Sequence, residues 1–432
     1  MIPLFAVLGY ARSAAAYPWM IRHGYGSCAT CHADPSGGEL LTKYGRAQGD
    51  LLLRMHWGKD TSSAAASTQS SGSAGSFDEF DEPGSAPAPK AKPEPKKAET
   101  EAEAEPARTG FLWGLWDTPD PLLLGGSIRA AAFFQGESAR VFPMQLDLYG
   151  QLTLGPVFAG GSIGAARVKQ NSPNARAAFL TTNQGNEEFN LLSRTHYVGV
   201  HLGSEFSVRA GRLNLPFGLR IPEHYAWVRD NTRTDRESDQ QHGAAIAYGG
   251  KALRAEVMGI AGNYQIAPDR YRERGYSGFA EYLVSNDVGV GVSSLITAAK
   301  ADRVSLEQEK TTRGVHGAFT RIHFAKPMVL MAEADAMHIS RRALGYVGFA
   351  QLDYELSQGL HLIGTGEALD MGRHDAEPGG FQPEKAAGEG KPRFGGWLSV
   401  DWFFLPQLEL RVDAIGRQDA GGYLLAQLHA YL

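Results

Sequence analysis

The chain is 432 residues long, carries a formal net charge of -5 and is 43% hydrophobic. So small a charge imbalance excludes the strongly basic profile of a nucleic-acid binder. No run of 18 or more apolar residues marks a transmembrane helix, whereas 52 glycines, 20 phenylalanines and 16 tyrosines fit an outer-membrane β-barrel, whose strands each carry a weak signal.

Residues 1–16 read as a secretory signal peptide, atypical or truncated. Ile2 to Leu8 is apolar, and Ala14-Ala15-Ala16 offers a small-residue cleavage site before Tyr17. The basic n-region is missing, so either the true start lies upstream or the signal is unusual. A short buried strand or helix is the alternative.

Residues 17–58 hold both cysteines of the chain, in the string Cys28-Ala29-Thr30-Cys31-His32. This is C-x-x-C-H, the attachment site of a c-type haem. Two thiols bond to the haem vinyl groups, and the histidine after them reaches the iron. A disulfide between residues three apart would be strained and would not need the histidine. A thioredoxin-like motif would need a βαβ context, and a zinc site would need further ligands at regular spacing. One covalently attached haem c is therefore expected, held by Cys28 and Cys31 with His32 as axial iron ligand. Such haem is attached outside the cytoplasm, in agreement with an exported chain. About forty residues are too few to be stable on apolar burial alone, so the haem would supply much of this small helical domain's core. For the sixth iron ligand, Met55 or His56 comes first, after the helical-looking stretch Leu40 to Arg54; Met20 and His23 follow. Arg46 either pairs with a haem propionate or lies exposed on a helix face.

Residues 59–109 are Ser/Ala/Gly-rich and then Pro/Ala/Lys/Glu-rich, a composition that cannot bury a core. This stretch reads as a disordered linker, interrupted by the acidic-aromatic patch Phe77 to Glu82.

From residue 110 to 432 the texture is that of strands. Leu146, Leu148, Leu152 and Leu154 alternate with Gln145, Asp147, Gln151 and Thr153; Ala350, Leu352, Tyr354 and Leu356 alternate with Gln351, Asp353 and Glu355. In a barrel the first set faces lipid and the second lines the lumen. About sixteen such segments can be counted, one of them over 191–202, with tight turns alternating with long polar loops. The expected fold is an all-β transmembrane barrel of about 16 antiparallel strands, preceded by the small α-helical mono-haem domain and the linker. The loop over 214–241 carries Arg220, Glu223, His224, Arg229, Asp230, Arg233, Asp235, Arg236, Glu237 and Asp239. It either folds into the lumen and narrows it or stays outside as a solvated loop. No nucleophile–base pairing or phosphate-cradling loop stands out elsewhere, so no catalytic residue is assigned.

The chain resembles the outer-membrane porin–cytochrome c fusions, including the iron-oxidising cytochrome–porins, in Cys28-Ala-Thr-Cys31-His32, in Leu41-Thr-x-Tyr44-Gly45-Arg46, and in Arg209-Ala-Gly211-Arg212-Leu-Asn-Leu-Pro216-Phe217-Gly218. The resemblance implies a haem domain in or beneath a porin-like barrel. Such a chain would carry single electrons between an external or periplasmic donor and periplasmic cytochromes or other electron carriers, in contact with outer-membrane lipid and not with nucleic acid. If it is an enzyme, the resemblance implies a haem oxidoreductase, with electron transfer or metal oxidation as its reaction. A solute porin with a cytochrome appendage and a haem peroxidase are the alternatives.

Overall fold

Alternation of apolar and polar residues leaves each strand with one face for lipid and one for a polar interior, and the chain resolves this by closing its sheet. The computed structural model describes residues 18–35, 37–53, 110–169, 187–266, 268–303, 308–325, 327–373, 390–418 and 420–432. The signal segment, the linker with its Phe77 to Glu82 patch, Met55 and His56 lie outside them.

Among the described residues seventeen strands form one antiparallel sheet. They are β1 (Leu122–Gln135), β2 (Ser138–Leu154), β3 (Val157–Lys169), β4 (Glu187–Leu192), β5 (His196–Leu202), β6 (Phe206–Leu213), β7 (Gln241–Gly249), β8 (Leu253–Gly262) and β9 (Arg274–Ser285), followed by β10 (Val288–Ala299), β11 (Thr311–Ala325), β12 (Met328–Ile339), β13 (Gly345–Ser357), β14 (Leu360–Asp370), β15 (Arg393–Leu405), β16 (Leu408–Arg417) and β17 (Gly421–Tyr431). β1 pairs with β17 from Ser127↔Tyr431 to Phe134↔Leu424, which closes the sheet. β4 and β5 lie end to end along β3, at Gly164↔Leu192 and Gly161↔His196. They are two halves of one stave, so the barrel has 16 staves, as the alternation implies. The segment expected as a single strand over 191–202 is interrupted at Ser193-Arg194-Thr195. Ser162 Oγ accepts from the backbone N–H of both Arg194 and Thr195 at 3.1 Å, which satisfies donors that the break would otherwise orphan.

Leu146, Leu148, Leu152 and Leu154 are exposed on the outer face, while Gln145, Asp147 and Gln151 are buried towards the lumen. The same holds for Leu352, Tyr354 and Leu356 against Gln351 and Asp353. Exposed aromatics cluster near the ends of the staves: Phe206, Tyr282, Phe324 and Tyr354 towards one rim, Phe134, Tyr276, Tyr346 and Phe394 towards the other. Aromatic girdles of this kind mark the two interfaces of a membrane-spanning barrel. Among the described residues no helix is long and apolar enough to cross a membrane; strands do the crossing.

One rim carries the tight connections at 155–156, 203–205, 250–252, 286–287, 358–359 and 406–407, together with the start of β1 and the end of β17. The opposite rim carries the long ones. The longest described loop, 214–240, folds inward, so the external-loop alternative does not hold. Its buried charges are taken up by the lumen wall and by the neighbouring long loops. Arg229 pairs with Glu333, Glu223 with Arg411 at 2.7 Å, and Arg233 with Glu273 at 3.0 Å and Asp302 at 2.9 Å. Backbone donors do the same: Trp227 N–H reaches Glu367 at 2.9 Å and Gly218 N–H reaches Ser293 Oγ at 2.9 Å.

Candidate functional site

The motif folds as a short 3-10 turn over Cys28–Thr30, in which the N–H groups of Cys31 and His32 both reach the Cys28 carbonyl, at 3.2 and 3.0 Å. Gly37, Gly38 and Glu39 all have positive φ (92, 94 and 54°). Two glycines adopt that region freely; Glu39 is held there against its Cβ at a cost of order 1–3 kcal/mol. The turn sends the chain back along itself, so that Ala33 N–H reaches Leu40 O at 2.9 Å and Thr42 N–H reaches Cys31 O at 2.8 Å. Thr42 Oγ1 then caps helix Lys43–Leu53 by accepting from Gly45 N–H at 3.0 Å. The helical stretch expected from Leu40 is thus real but starts later. Upstream, a 3-10 helix over Pro18–His23 buries Trp19, Met20 and Ile21.

Gly45 lies flat against the motif. A Cβ there would overlap the Cys31 carbonyl oxygen and stand 2.8 Å from Cys31 Cβ. Gly45→Ala should cost about 1–3 kcal/mol by overpacking, read as earlier urea release of the segment by Trp19 fluorescence. An unchanged midpoint would contradict this packing.

Segment 18–53 sits inside the short-turn mouth of the barrel and touches staves around its circumference. Arg22 reaches Asp353 at 3.3 Å, Glu355 at 3.1 Å and His361 Nδ1 at 3.2 Å, with its guanidinium over the Trp19 ring. Asp34 pairs with Arg209 of β6 at 3.2 Å, and Arg209 pairs with Glu256 of β8 at 2.5 Å. Arg321 of β11 donates to Gly26 O at 3.0 Å; Arg46 donates to Leu124 O of β1. Arg194, in the β4–β5 break, ties Asp147 of the wall at 2.9 Å to Glu237 of the inward loop at 3.2 Å.

Glu39 joins segment to wall: Thr195 Oγ1 donates to it at 2.8 Å and Asn214 Nδ2 at 3.0 Å. Burial, reinforced by Asp34, pushes its carboxyl from 4.5 up to about 7. The docked value lies above the free one. Its stabilisation is therefore full below about pH 4.5 and lost as pH rises through about 7, at about 1.4 kcal/mol per pKa unit. Segment release by urea should accordingly need less denaturant at pH 8 than at pH 5. Glu39→Gln should flatten that dependence, and a wild-type slope in that variant would count against Glu39 as its source.

Cys28 and Cys31 are buried free thiols. Cys28 Sγ accepts from Arg254 at 3.1 Å, and burial, with Cys28 beside it, pushes the Cys31 thiol up to about 12. His32 lines a cavity of about 1320 Å³, counting its solvent-open part, together with Met20, Leu41, Arg46, Arg129, Tyr149, Arg220, Arg236, His429 and Tyr431. Burial, aided by Arg236, lowers His32 to about 4, so its imidazole is neutral, and its buried Nδ1 has no hydrogen-bond partner. Ligation needs a neutral imidazole. Two reduced thiols on the same turn, a neutral histidine facing space and apolar walls fit a covalently held haem. The thiols lie on the turn beside the cavity and do not themselves line it. Of the candidate sixth ligands, Met20 lines the cavity. His23 does not; its Nε2 accepts from Arg22 at 3.3 Å. Met55 and His56, the first choices, lie outside the described residues. Arg46 also lines the cavity. Among the described residues no group of three or more His, Cys, Asp or Glu side chains is placed to hold a metal ion.

The sequence reading missed the barrel's own contribution: Arg129, Tyr149, His429 and Tyr431 on the wall and Arg220 and Arg236 on the inward loop. Alternation marks Arg129 and His429 as lumen-facing, but nothing local says that the motif sits beside them.

No family model matches the chain, and no curated protein matches it. Solved structures do. The chain is similar to outer-membrane expressed OmpT of Vibrio cholerae (TM-score 0.51, 9% identity, covering 73% of this chain and 99% of that one). It is also similar to the loop L8 deletion mutant of that protein (TM-score 0.51, 9% identity, 72% and 99%) and to its in-vitro folded trimer form (TM-score 0.50, 10% identity, 72% and 99%). At such identities the likeness is one of fold: residues 122–432 form a porin-like barrel of the outer-membrane type.

Proposed function

We propose that this chain is an outer-membrane electron-transfer protein. A single haem c is bonded to Cys28 and Cys31 and ligated by His32, seated in the mouth of a porin-like barrel, and exchanges single electrons with periplasmic carriers. The observation that carries this reading is the placement of the C-x-x-C-H string inside the short-turn mouth, with a neutral His32 facing a cavity. Short turns lie on the periplasmic side of bacterial barrels, so the haem would be presented to soluble periplasmic partners. The haem supplies the one-electron chemistry; the chain holds it, excludes water from it and sets its surrounding charge. The resemblance adds a finer expectation, that electrons enter from a reduced external donor such as a metal ion. A solute porin would need an open lumen, and here that space holds both segment 18–53 and loop 214–240.

Two measurements test the proposal. Intact-mass analysis of the purified protein should show one covalent haem, lost in Cys28→Ser/Cys31→Ser. In intact outer-membrane vesicles, the haem should be reduced by an impermeant external donor and reoxidised by an added periplasmic cytochrome. Absence of covalent haem would remove the whole reading. Exchange with the cytochrome but not with the external donor would remove only the trans-membrane version.

A further inference from the structure

We infer that the barrel wall binds the acidic edge of the cofactor, and that Arg129 of β1 is a clamp for a haem propionate. The inference rests on the haem reading above and extends it to a residue far from the motif.

Arg129 is buried and lines the same cavity as His32. Among the described residues no carboxylate stands within ion-pair distance of it. Its hydrogen bond goes to His429 Nδ1, at 3.0 Å. His429 is in turn fixed by Ser127 Oγ on its Nε2, at 2.6 Å, and its Nδ1 lies 3.3 Å from Glu409 Oε2, so that carboxylate meets Arg129 only across the imidazole. A buried guanidinium with no direct ion pair is stabilised by an anion entering the cavity it lines.

The rest of the lining points the same way. Arg46, Arg129, Arg220 and Arg236 face carboxylates Glu39, Asp50 and Glu237. Glu237 is already engaged by Arg194 at 3.2 Å, and Glu39 accepts from Thr195 and Asn214. With Glu39 pushed up towards neutrality, positive charge exceeds negative around the cavity, and a haem brings two carboxylates. Arg46 and Arg220 are each tied to a backbone carbonyl, Leu124 O and Leu215 O. Arg129 has only an imidazole to give up, and its planar fork suits a carboxylate.

The consequence is a cofactor anchored at both edges: thioethers to segment 18–53 on one side, an ion pair to the wall on the other. The test uses the full-length, haem-loaded protein in detergent, with the midpoint potential followed against pH. Arg129→Gln should keep the covalent haem, because the thioethers are intact. It should lower the midpoint potential, because losing a nearby cation favours the more positive ferric state. It should also introduce a fall of potential with rising pH across the neutral range, because an unclamped buried propionate titrates there. Arg129→Lys should restore most of the potential. Arg140→Gln, which removes an exposed cation outside the cavity, should stay close to wild type. A wild-type potential and pH profile in Arg129→Gln would overturn the inference. So would an equal shift in Arg140→Gln, since the potential would then report overall charge and not a clamp. Failure of the haem reading is separately visible, as wild-type protein with no covalent haem mass.

Discussion

In planar bilayers the Arg22→Glu variant should show repeated ion-conducting openings where the wild-type barrel stays closed. Arg22 fastens segment 18–53 to β13. Its side chain is 3% exposed and lies between Asp353, which is fully buried, and Glu355. Removing one partner of a buried pair leaves an uncompensated charge, at about 3–5 kcal/mol; reversal adds a third carboxylate among two. With about 1.4 kcal/mol per factor of ten, the released state should become roughly 10²–10⁴ times more populated. The stack of Trp19 on His361, with ring centroids 4.4 Å apart, would be lost in the same event. Loop 214–240 would still narrow the lumen, so the openings should be small. Identical traces for the two proteins would mean that the segment does not gate the mouth.

The second large effect is expected at Arg209. It is 2% exposed, and it bridges Asp34 of the segment at 3.2 Å to Glu256 of the wall at 2.5 Å, under the Tyr197 ring. Arg209→Leu removes the cation and leaves two buried carboxylates facing each other. A loss of about 3–5 kcal/mol is expected, seen as release of the segment at lower urea and faster trypsin cleavage after Lys43. Asp34→Asn on the Arg209→Leu background should recover part of that loss, because one of the stranded charges disappears. Strict additivity of the two substitutions would show that the pair is not coupled.

Both effects join residues that no local pattern connects. Arg22 and Asp353 are 331 positions apart. The barrel was legible because a period of two, repeated over sixteen staves, is a local property: each Leu of 146–154 reports its own face. The C-x-x-C-H string stood out because the haem attachment proposed for it needs three residues within five positions. The break at Ser193-Arg194-Thr195 was not, because Leu192, Val198, Val200 and Leu202 share one parity in the sequence, whereas the folded chain turns Leu191 outward and Leu192 inward before the break. The inward course of 214–240 was open for a similar reason. Its charges suit water as well as they suit Glu333, Glu367 and Arg411, and the choice is made by the wall. For the sixth ligand of the proposed haem iron, spacing pointed downstream to Met55 and His56, while the packing that brings Met20 to the cavity depends on the whole segment docking.

One further consequence concerns timing in biogenesis. Cys28 is 7% exposed, Cys31 1% and His32 9%, within a mouth fastened from several staves. A catalyst of protein size cannot reach those thiols while the segment is docked. Any covalent modification of the motif that needs such a catalyst must be made before segment 18–53 seats in the mouth, so docking sets the order of maturation.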